Sequence, residues 1–157
     1  MGETVDIVYL DFQKAFDAVP HQRLLRKLHS QGIRGQVLLW IENWLRTRKQ
    51  RAGVNGEFSQ WREVKSSVPQ GSVLGPVLFS LFINDLKIGI SSEVVKFADD
   101  TKLFQVVKTR RDCEELQKDL SKLAEWAAKW QMHFNIRKCK VMHIGACLLY
   151  TSPSPRD

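Results

Sequence analysis

The chain has 157 residues, 43% hydrophobic and 26% charged, a composition that suits one folded domain and excludes a disordered chain. Lysine and arginine number 24 against 17 acidic residues, a net charge of +7 that favours polyanionic partners, nucleic acid or an anionic membrane. No apolar run reaches the roughly 18 residues that span a bilayer, and the start, Met1-Gly2-Glu3-Thr4, has neither the basic nor the apolar region of a secretory leader.

The sparse, odd set of cysteines (Cys113, Cys139, Cys147) suits a reducing compartment. The expectation is an intracellular protein, cytoplasmic, nuclear or both, with no membrane partner.

In chain order, residues 4–11 are β-rich (Val5, Ile7, Val8, Tyr9, Leu10), like a strand buried on both faces. Leu24, Leu25 and Leu28 repeat at helical spacing between Pro20 and Gly32, and Val37, Ile41, Trp44 and Leu45 mark a second amphipathic helix. Residues 51–55 and 61–65 flank Asn55-Gly56 and predict a hairpin with a loop longer than two residues. Pro69-Gln70-Gly71 is a turn. Residues 73–86 then read as a helix buried on most sides, with Gly75-Pro76 in its first turn, where proline is tolerated.

Two β-rich runs, 94–98 and 102–107, are separated by Asp99-Asp100-Thr101, which predicts a second hairpin. Thr109 and Asp112 have the spacing of a capping box. Leu116, Leu120, Leu123, Ala127 and Trp130 then mark a long amphipathic helix, and residues 140–144 a last strand ending at Gly145.

Stripped of the inserted hairpin, the order is that of a split βαββαβ fold, an α+β class with an antiparallel sheet and helices packed on one face. The domain is expected to occupy residues 1–145. The Ser/Pro-rich stretch 146–157 is expected to stand outside it.

Three carboxylates attract attention by position. Asp11 ends the first strand, Asp99 and Asp100 lie between two others, and in this topology those strands are neighbours, so the carboxylates can converge at one sheet edge. Clustered carboxylates stay ionised only beside a cation, and hard oxygen ligands select Mg²⁺ or Mn²⁺. Taken alone, Asp99-Asp100 reads more simply as turn chemistry, and Asp11 as a strand-end cap.

The surrounding words change that balance. Tyr9-Leu-Asp-Phe-Gln-Lys-Ala-Phe-Asp-Ala-Val-Pro-His21 resembles motif A of the reverse transcriptases of LINE-type (non-LTR) retrotransposons. Val68-Pro-Gln-Gly-Ser-Val-Leu-Gly-Pro-Val-Leu-Phe79, continuing to Ile83-Asn-Asp85, resembles motif B. Phe97-Ala-Asp-Asp100 is similar to motif C, and Phe134-Asn-Ile-Arg-Lys-Cys-Lys-Val-Met142 to motif D. The four occur in the family's order across residues 5–145, and motifs A and D look closest to the vertebrate chicken-repeat clade.

The resemblance implies a polymerase palm with fingers and thumb largely missing. It implies RNA-directed DNA synthesis: two-metal transfer of dNTPs onto a primer 3′-OH, with an RNA template and a DNA primer as partners and two Mg²⁺ (or Mn²⁺) ions as cofactors. Asp11 and Asp99 would ligate both metals, with Asp100 completing the acidic site and the Phe12 carbonyl as a backbone ligand. Phe16, five residues after Asp11, would be the steric gate against a 2′-OH. Gln70 and Gly71 would border the incoming nucleotide, and Lys138 would protonate the departing pyrophosphate.

Blander readings stand beside these: core packing for Phe16, helix capping for Gln70, a solvated charge for Lys138. The alternative for the whole is a catalytically inert palm relic that binds nucleic acid weakly. A zinc site from His133, Cys139, His143 and Cys147 is rejected on spacing. The basic run from Arg46 to Arg51 suits either duplex phosphates or a solvated helix end.

Overall fold

The computed structural model describes residues 4–145, which form two compact units, 4–15 together with 85–145, and 16–84. The stretch 146–157 lies outside the described residues. In chain order the elements are β1 (Val5–Asp11), α1 (Ala15–Ala18), α2 (His21–Ser30), α3 (Gly35–Arg46), β2 (Lys49–Gln50), β3 (Gly53–Val54), β4 (Glu57–Phe58) and β5 (Arg62–Glu63). They continue with α4 (Leu74–Phe82), a 3-10 turn (Asn84–Lys87), β6 (Glu93–Phe97), β7 (Asp100–Val106), α5 (Arg110–Trp130) and β8 (Lys140–Ile144).

The first unit is built on a four-stranded antiparallel sheet of order β6-β7-β1-β8. This is the expected split βαββαβ arrangement, with β1 and β7 inside. Ile7, Val8, Leu10 and Leu103 are buried, as an inner strand pair flanked on both edges requires. α5 packs on β7 and buries Leu116, Leu123 and Ala127 along one stripe. Its start is the expected capping box: Thr109 Oγ accepts from the Asp112 amide, and the Asp112 carboxylate accepts from the Thr109 amide at 2.7 Å. Among the described residues no helix is long and apolar enough to cross a membrane.

α5 also carries a buried carboxylate that its periodicity does not announce. Asp119 is 1% exposed, and its Oδ2 accepts from the Ser91 amide (3.0 Å), the Ser92 amide (2.7 Å) and the Ser92 hydroxyl (2.8 Å). Burial opposes its ionisation most strongly. The Ser92 and Ser91 donors with Lys122 outweigh burial and hold its pKa below the ordinary aspartate value. The carboxylate thereby fixes the segment that leads into β6.

In the second unit, α2 buries Leu24 and Leu28 against α3 and α4, which contribute Ile41 and Leu45, and Leu78, Phe79 and Phe82. The expected helix over 73–86 is shorter and broken: α4 stops at Phe82, and the chain resumes as the 3-10 turn. The cause lies on α2, where Lys27 Nζ donates to the Phe82 carbonyl (2.6 Å) and Gln31 Nε2 to that of Leu81 (2.9 Å). Side chains from another helix thus satisfy carbonyls that a helix end leaves without partners.

The hairpin around Asn55-Gly56 also differs from expectation. It consists of two short ladders, β2 with β5 and β3 with β4, closed by a two-residue turn. Asn55 (φ 51°) and Gly56 (φ 86°) both take left-handed conformations, the combination a tight mirror-image turn requires. Between the ladders the Ser59 amide donates to the Ala52 carbonyl, and the Ala52 amide to Ser59 Oγ, each at 2.9 Å.

Replacing Asp119 by alanine leaves three donors around Ser91 and Ser92 without their acceptor. The expected loss is about 3 kcal/mol of unfolding free energy, read by chemical denaturation of the whole chain. A loss within experimental error would mean that this carboxylate does not anchor the approach to β6.

Candidate functional site

The β6–β7 hairpin closes differently from its sequence pattern. The turn residues are Ala98 and Asp99, the ladder runs up to Phe97 opposite Asp100, and Asp100 is the first residue of β7. Ala98 takes φ 53°, a left-handed conformation in which alanine is uncommon, and this tightens the turn by drawing Asp100 into the sheet.

The register of β1 with β7 then sets Asp11 directly opposite Asp100. Directly opposed residues project from the same face, so these two carboxylates are neighbours. Asp99 sits one residue earlier, on the turn. All three acidic residues therefore stand at one end of the sheet, with Asp11 and Asp100 as the pair in register.

Past Asp11 the chain is held by the segment before β8. The Asn135 amide donates to the Asp11 carbonyl and the Gln13 amide to the His133 carbonyl, both at 2.7 Å. Phe12 and Phe134 face each other across this bridge, and because the bonds run through their neighbours, the Phe12 carbonyl is not used in it. The Phe12 ring is buried, stacked on Phe134 at 4.6 Å and tilted against Trp126 at 6.2 Å. From there the chain turns: the amides of Lys138 and Cys139 both donate to the Asn135 carbonyl. That turn brings Lys138 Nζ to 3.5 Å from Asp11 Oδ2.

Asp11 Oδ2 is buried and makes no hydrogen bond; the 3.5 Å approach of Lys138 is an ion-pair distance, without hydrogen-bond geometry. Lys138 is 69% exposed, so the pair is weak and leaves the oxygen under-satisfied. Thr101 Oγ1, one register step away, is the other buried side-chain oxygen without a hydrogen bond among the described residues. An open groove of about 380 Å³ runs alongside, bordered by Tyr9, Asp11, Asp100, Lys102, Lys138 and Lys140. Asp99 does not line it.

A carboxylate pair with an unsatisfied oxygen suits a hard divalent cation. Among the described residues no three acidic, imidazole or thiol groups come close enough to hold a metal alone. Mg²⁺ does not require such a cage, since it commonly binds through one or two carboxylates together with water and substrate phosphates. The three lysines bordering the groove match the charge such a substrate would bring.

Other sequence-singled residues lie in the second unit. Phe16 is half-buried, stacked on Phe79 at 4.7 Å, and its carbonyl accepts from the Val68 amide at 2.8 Å. Gln70 is exposed, beside Gly71 in a left-handed conformation (φ 79°). Ahead of α4 it is Ser72 whose hydroxyl accepts from the Gly75 amide at 3.0 Å and donates to the Pro69 carbonyl at 2.9 Å. His143, set aside as a zinc ligand, is engaged with buried Asp6 at 2.6 Å.

His21 is a positioning residue to which the sequence pattern attached no role. Its Nε2 donates to the Ser67 carbonyl at 2.8 Å, while the Ser67 amide donates to the Val19 carbonyl at 2.9 Å. These bonds strap the segment before Gln70 to the start of α2. The signal was present as Pro20-His21 at the close of the first motif.

Residues 3–155 match the family described as "Reverse transcriptase (RNA-dependent DNA polymerase)". That span runs past Gly145. The chain is 33% identical over 140 residues to the RNA-directed DNA polymerase from mobile element jockey of Drosophila melanogaster, covering 83% of this chain and 15% of that protein. It is 30% identical over 165 residues to the probable RNA-directed DNA polymerase from transposon BS of the same fly, covering 98% of this chain and 17% of that protein.

Among solved structures, apo telomerase from Candida tropicalis, truncated from its C-terminal domain, superposes with a TM-score of 0.65 at 11% identity, covering 94% of this chain and 32% of that one. A second apo telomerase structure from Candida tropicalis gives 0.66 at 8% identity, covering 90% and 29%. At such identities the likeness is one of fold.

Burial pushes the His21 imidazole below its ordinary pKa and Arg48 adds to the effect, against the pull of the Ser67 carbonyl. A depressed folded value means that His21 contributes stability fully above its unfolded value near 6.5. That contribution is lost as pH falls through the folded value. The melting temperature of the wild-type chain should therefore drop more between pH 8 and pH 5 than that of His21→Gln. Parallel pH profiles would count against this assignment.

Proposed function

The chain belongs to the reverse transcriptase family, and on that premise we propose that it is the catalytic palm of an RNA-directed DNA polymerase. It spans 15–17% of the length of the curated relatives compared above, so the activity, substrates and partners of the whole enzyme are part of the proposal. The observation that carries the reading is the pairing of Asp11 with Asp100 beside an unsatisfied buried oxygen. The partners are an RNA template, a DNA primer and dNTPs, and the setting is intracellular. The wording of motifs A and D favours the vertebrate chicken-repeat clade among non-LTR retrotransposons.

Asp11, Asp99 and Asp100, with the Phe12 carbonyl, are the groups that would hold the divalent ions. Two Mg²⁺ ions held there, or Mn²⁺ in their place, would supply the Lewis acidity that lowers the pKa of a primer 3′-OH and offsets charge on the pyrophosphate. The chain's own groups do the rest. Lys138, tethered beside Asp11 by the Asn135 turn, gives a proton to the pyrophosphate oxygen as the phosphorus–oxygen bond breaks. The Phe16 ring bars a ribose 2′-OH by its bulk, a discrimination by clash with the wrong sugar. Gln70 and Gly71 border the incoming nucleotide.

The test uses a complete polymerase carrying this palm, in primer extension on an RNA template with Mg²⁺. Asp11→Asn and Asp99→Asn should each lower the extension rate about 100-fold or more, with the melting curve unchanged. Extension at wild-type rate by either variant would sink the metal assignment. Phe16→Val should admit ribonucleotides with modest loss of deoxynucleotide use. If it instead destabilises the enzyme by about 3–5 kcal/mol, as a core cavity does, with sugar preference unchanged, Phe16 is packing and not a gate.

A further inference from the structure

The ribbons formed by β2 with β5 and β3 with β4 take no part in the proposed chemistry, yet they hold much of the chain's excess charge. From Arg46 to Lys65 there are six lysines and arginines and two glutamates, a net 6 − 2 = +4 out of +7 for the whole chain. Arg46 is occupied by Glu42, at 2.7 Å on α3. The remaining cations are interleaved with aromatic rings that stand in solvent.

Arg51 is the centre of this surface. Its guanidinium lies 4.0 Å from the centroid of the Phe58 ring and 4.6 Å from that of Trp61. Phe58 and Trp61 are 60% and 59% exposed. A glycine makes the arrangement fit. Gly53 is the register partner of Phe58, and a Cβ there would come within 2.8 Å of Phe58 Cε1, so the ring lies across bare backbone. Nearby, Arg48 lies over Trp44 at 5.3 Å, and Trp44 stacks on Trp40.

Beside Arg51 an open groove of about 460 Å³ is lined by Gln50, Arg51, Ala52, Ser59, Gln60 and Arg62. It contains no acidic group. Two guanidiniums offer hydrogen bonds to phosphate, and two side-chain amides and a hydroxyl can donate to or accept from base edges.

A protein partner would favour a core depleted of charge, whereas every exposed ring of this ribbon has a cation against it. A duplex would satisfy the arginines but hides its base faces inside the stack. A single strand alone presents both anionic phosphates and open π-faces, and aromatic platforms in a positive groove are the usual means of gripping one. We propose that this ribbon is a binding site for single-stranded nucleic acid, with Phe58 and Trp61 as stacking platforms and Arg51 and Arg62 as phosphate contacts. The site uses none of the residues assigned to the polymerase reaction and does not depend on that reading.

The 157-residue chain is titrated into a fluorescein-labelled ten-nucleotide oligouridine, a ten-nucleotide oligothymidine, and a ten-base-pair duplex, followed by anisotropy. Both single strands should bind more tightly than the duplex. Phe58→Leu and Trp61→Leu, which keep apolar bulk and remove the ring face, should each weaken binding about 5- to 150-fold. Trp61→Phe should restore most of the loss. Arg51→Gln should weaken binding and flatten its dependence on salt. Arg110→Gln, which removes an exposed cation of α5 outside the ribbon, should bind as the wild type does, which separates this site from general basic charge.

Matching melting curves establish that each variant is folded. Leucine variants that bind like wild type, or a duplex or heparin that binds as tightly as the single strands, would overturn the proposal and leave a merely basic surface. Absence of binding would overturn it as well.

Discussion

β1 is hydrogen-bonded along both edges, to β7 on one side and β8 on the other, and every feature of the acidic end follows from its register. A slip of one residue would turn Ile7, Val8 and Leu10 against their neighbours' wrong faces and part Asp11 from Asp100. The register is pinned at the far end by a polar contact as well as by apolar packing. Asp6, 1% exposed, is the register partner of His143 on β8 and touches its Nδ1 at 2.6 Å. A buried carboxylate resists misalignment, because a slip would part it from the imidazole it meets in this register. This pair therefore favours one alignment of β8 on β1, the alignment that also carries the Asn135 turn and Lys138 up to Asp11.

α5 performs the equivalent task for the opposite edge. It grips the chain on its way into β6 at two places: Trp126 Nε1 donates to Asp85 at 3.0 Å, and Asp119 gathers the amides of Ser91 and Ser92. The closing residues of the second motif, Ile83-Asn-Asp85, thus have a structural use that is independent of catalysis. With both ends of the approach fixed, the β6–β7 tip has little freedom in where it sets Asp99 and Asp100.

The elements whose signal is local were legible in the sequence. The capping box at Thr109, the stripe of α5 and the apolar run of β1 each report a preference that their own residues enforce. The element order gave the sheet, and the four motif words brought the acidic residues forward, which periodicity alone would have left as turn and cap. What escaped the sequence was decided at a distance. α4 ends at Phe82 because Lys27 and Gln31, some fifty residues earlier, claim its last carbonyls. The hairpin tip moved back by one residue because Ala98 accepts a left-handed conformation, and alanine carries no signal for that. Asp119 gave no signal at all, since a single acidic residue on a mostly polar helix carries no mark of facing inward.

Two departures from local rules fall together at the acidic end of the sheet. Ala98 in a left-handed conformation costs about 1–2 kcal/mol, and a buried oxygen without a hydrogen bond costs about 1–3 kcal/mol. Both occur where β1 meets the β6–β7 turn, and Thr101 adds a second unsatisfied oxygen one step along. Elsewhere the first unit satisfies its buried polar groups with some care, as Asp119 does with its serine donors and Asp6 with His143. A strained turn beside two unsatisfied oxygens, at one end of an otherwise well-paired sheet, is the pattern of a surface shaped for something that the protein must bind. The sign of the deficit identifies the binder: a carboxylate oxygen without a donor, on a residue in register with a second carboxylate, is relieved by positive charge. Lys138 supplies that charge only at 3.5 Å and from a largely exposed position, so the same geometry that leaves Asp11 under-satisfied keeps it available for a cation.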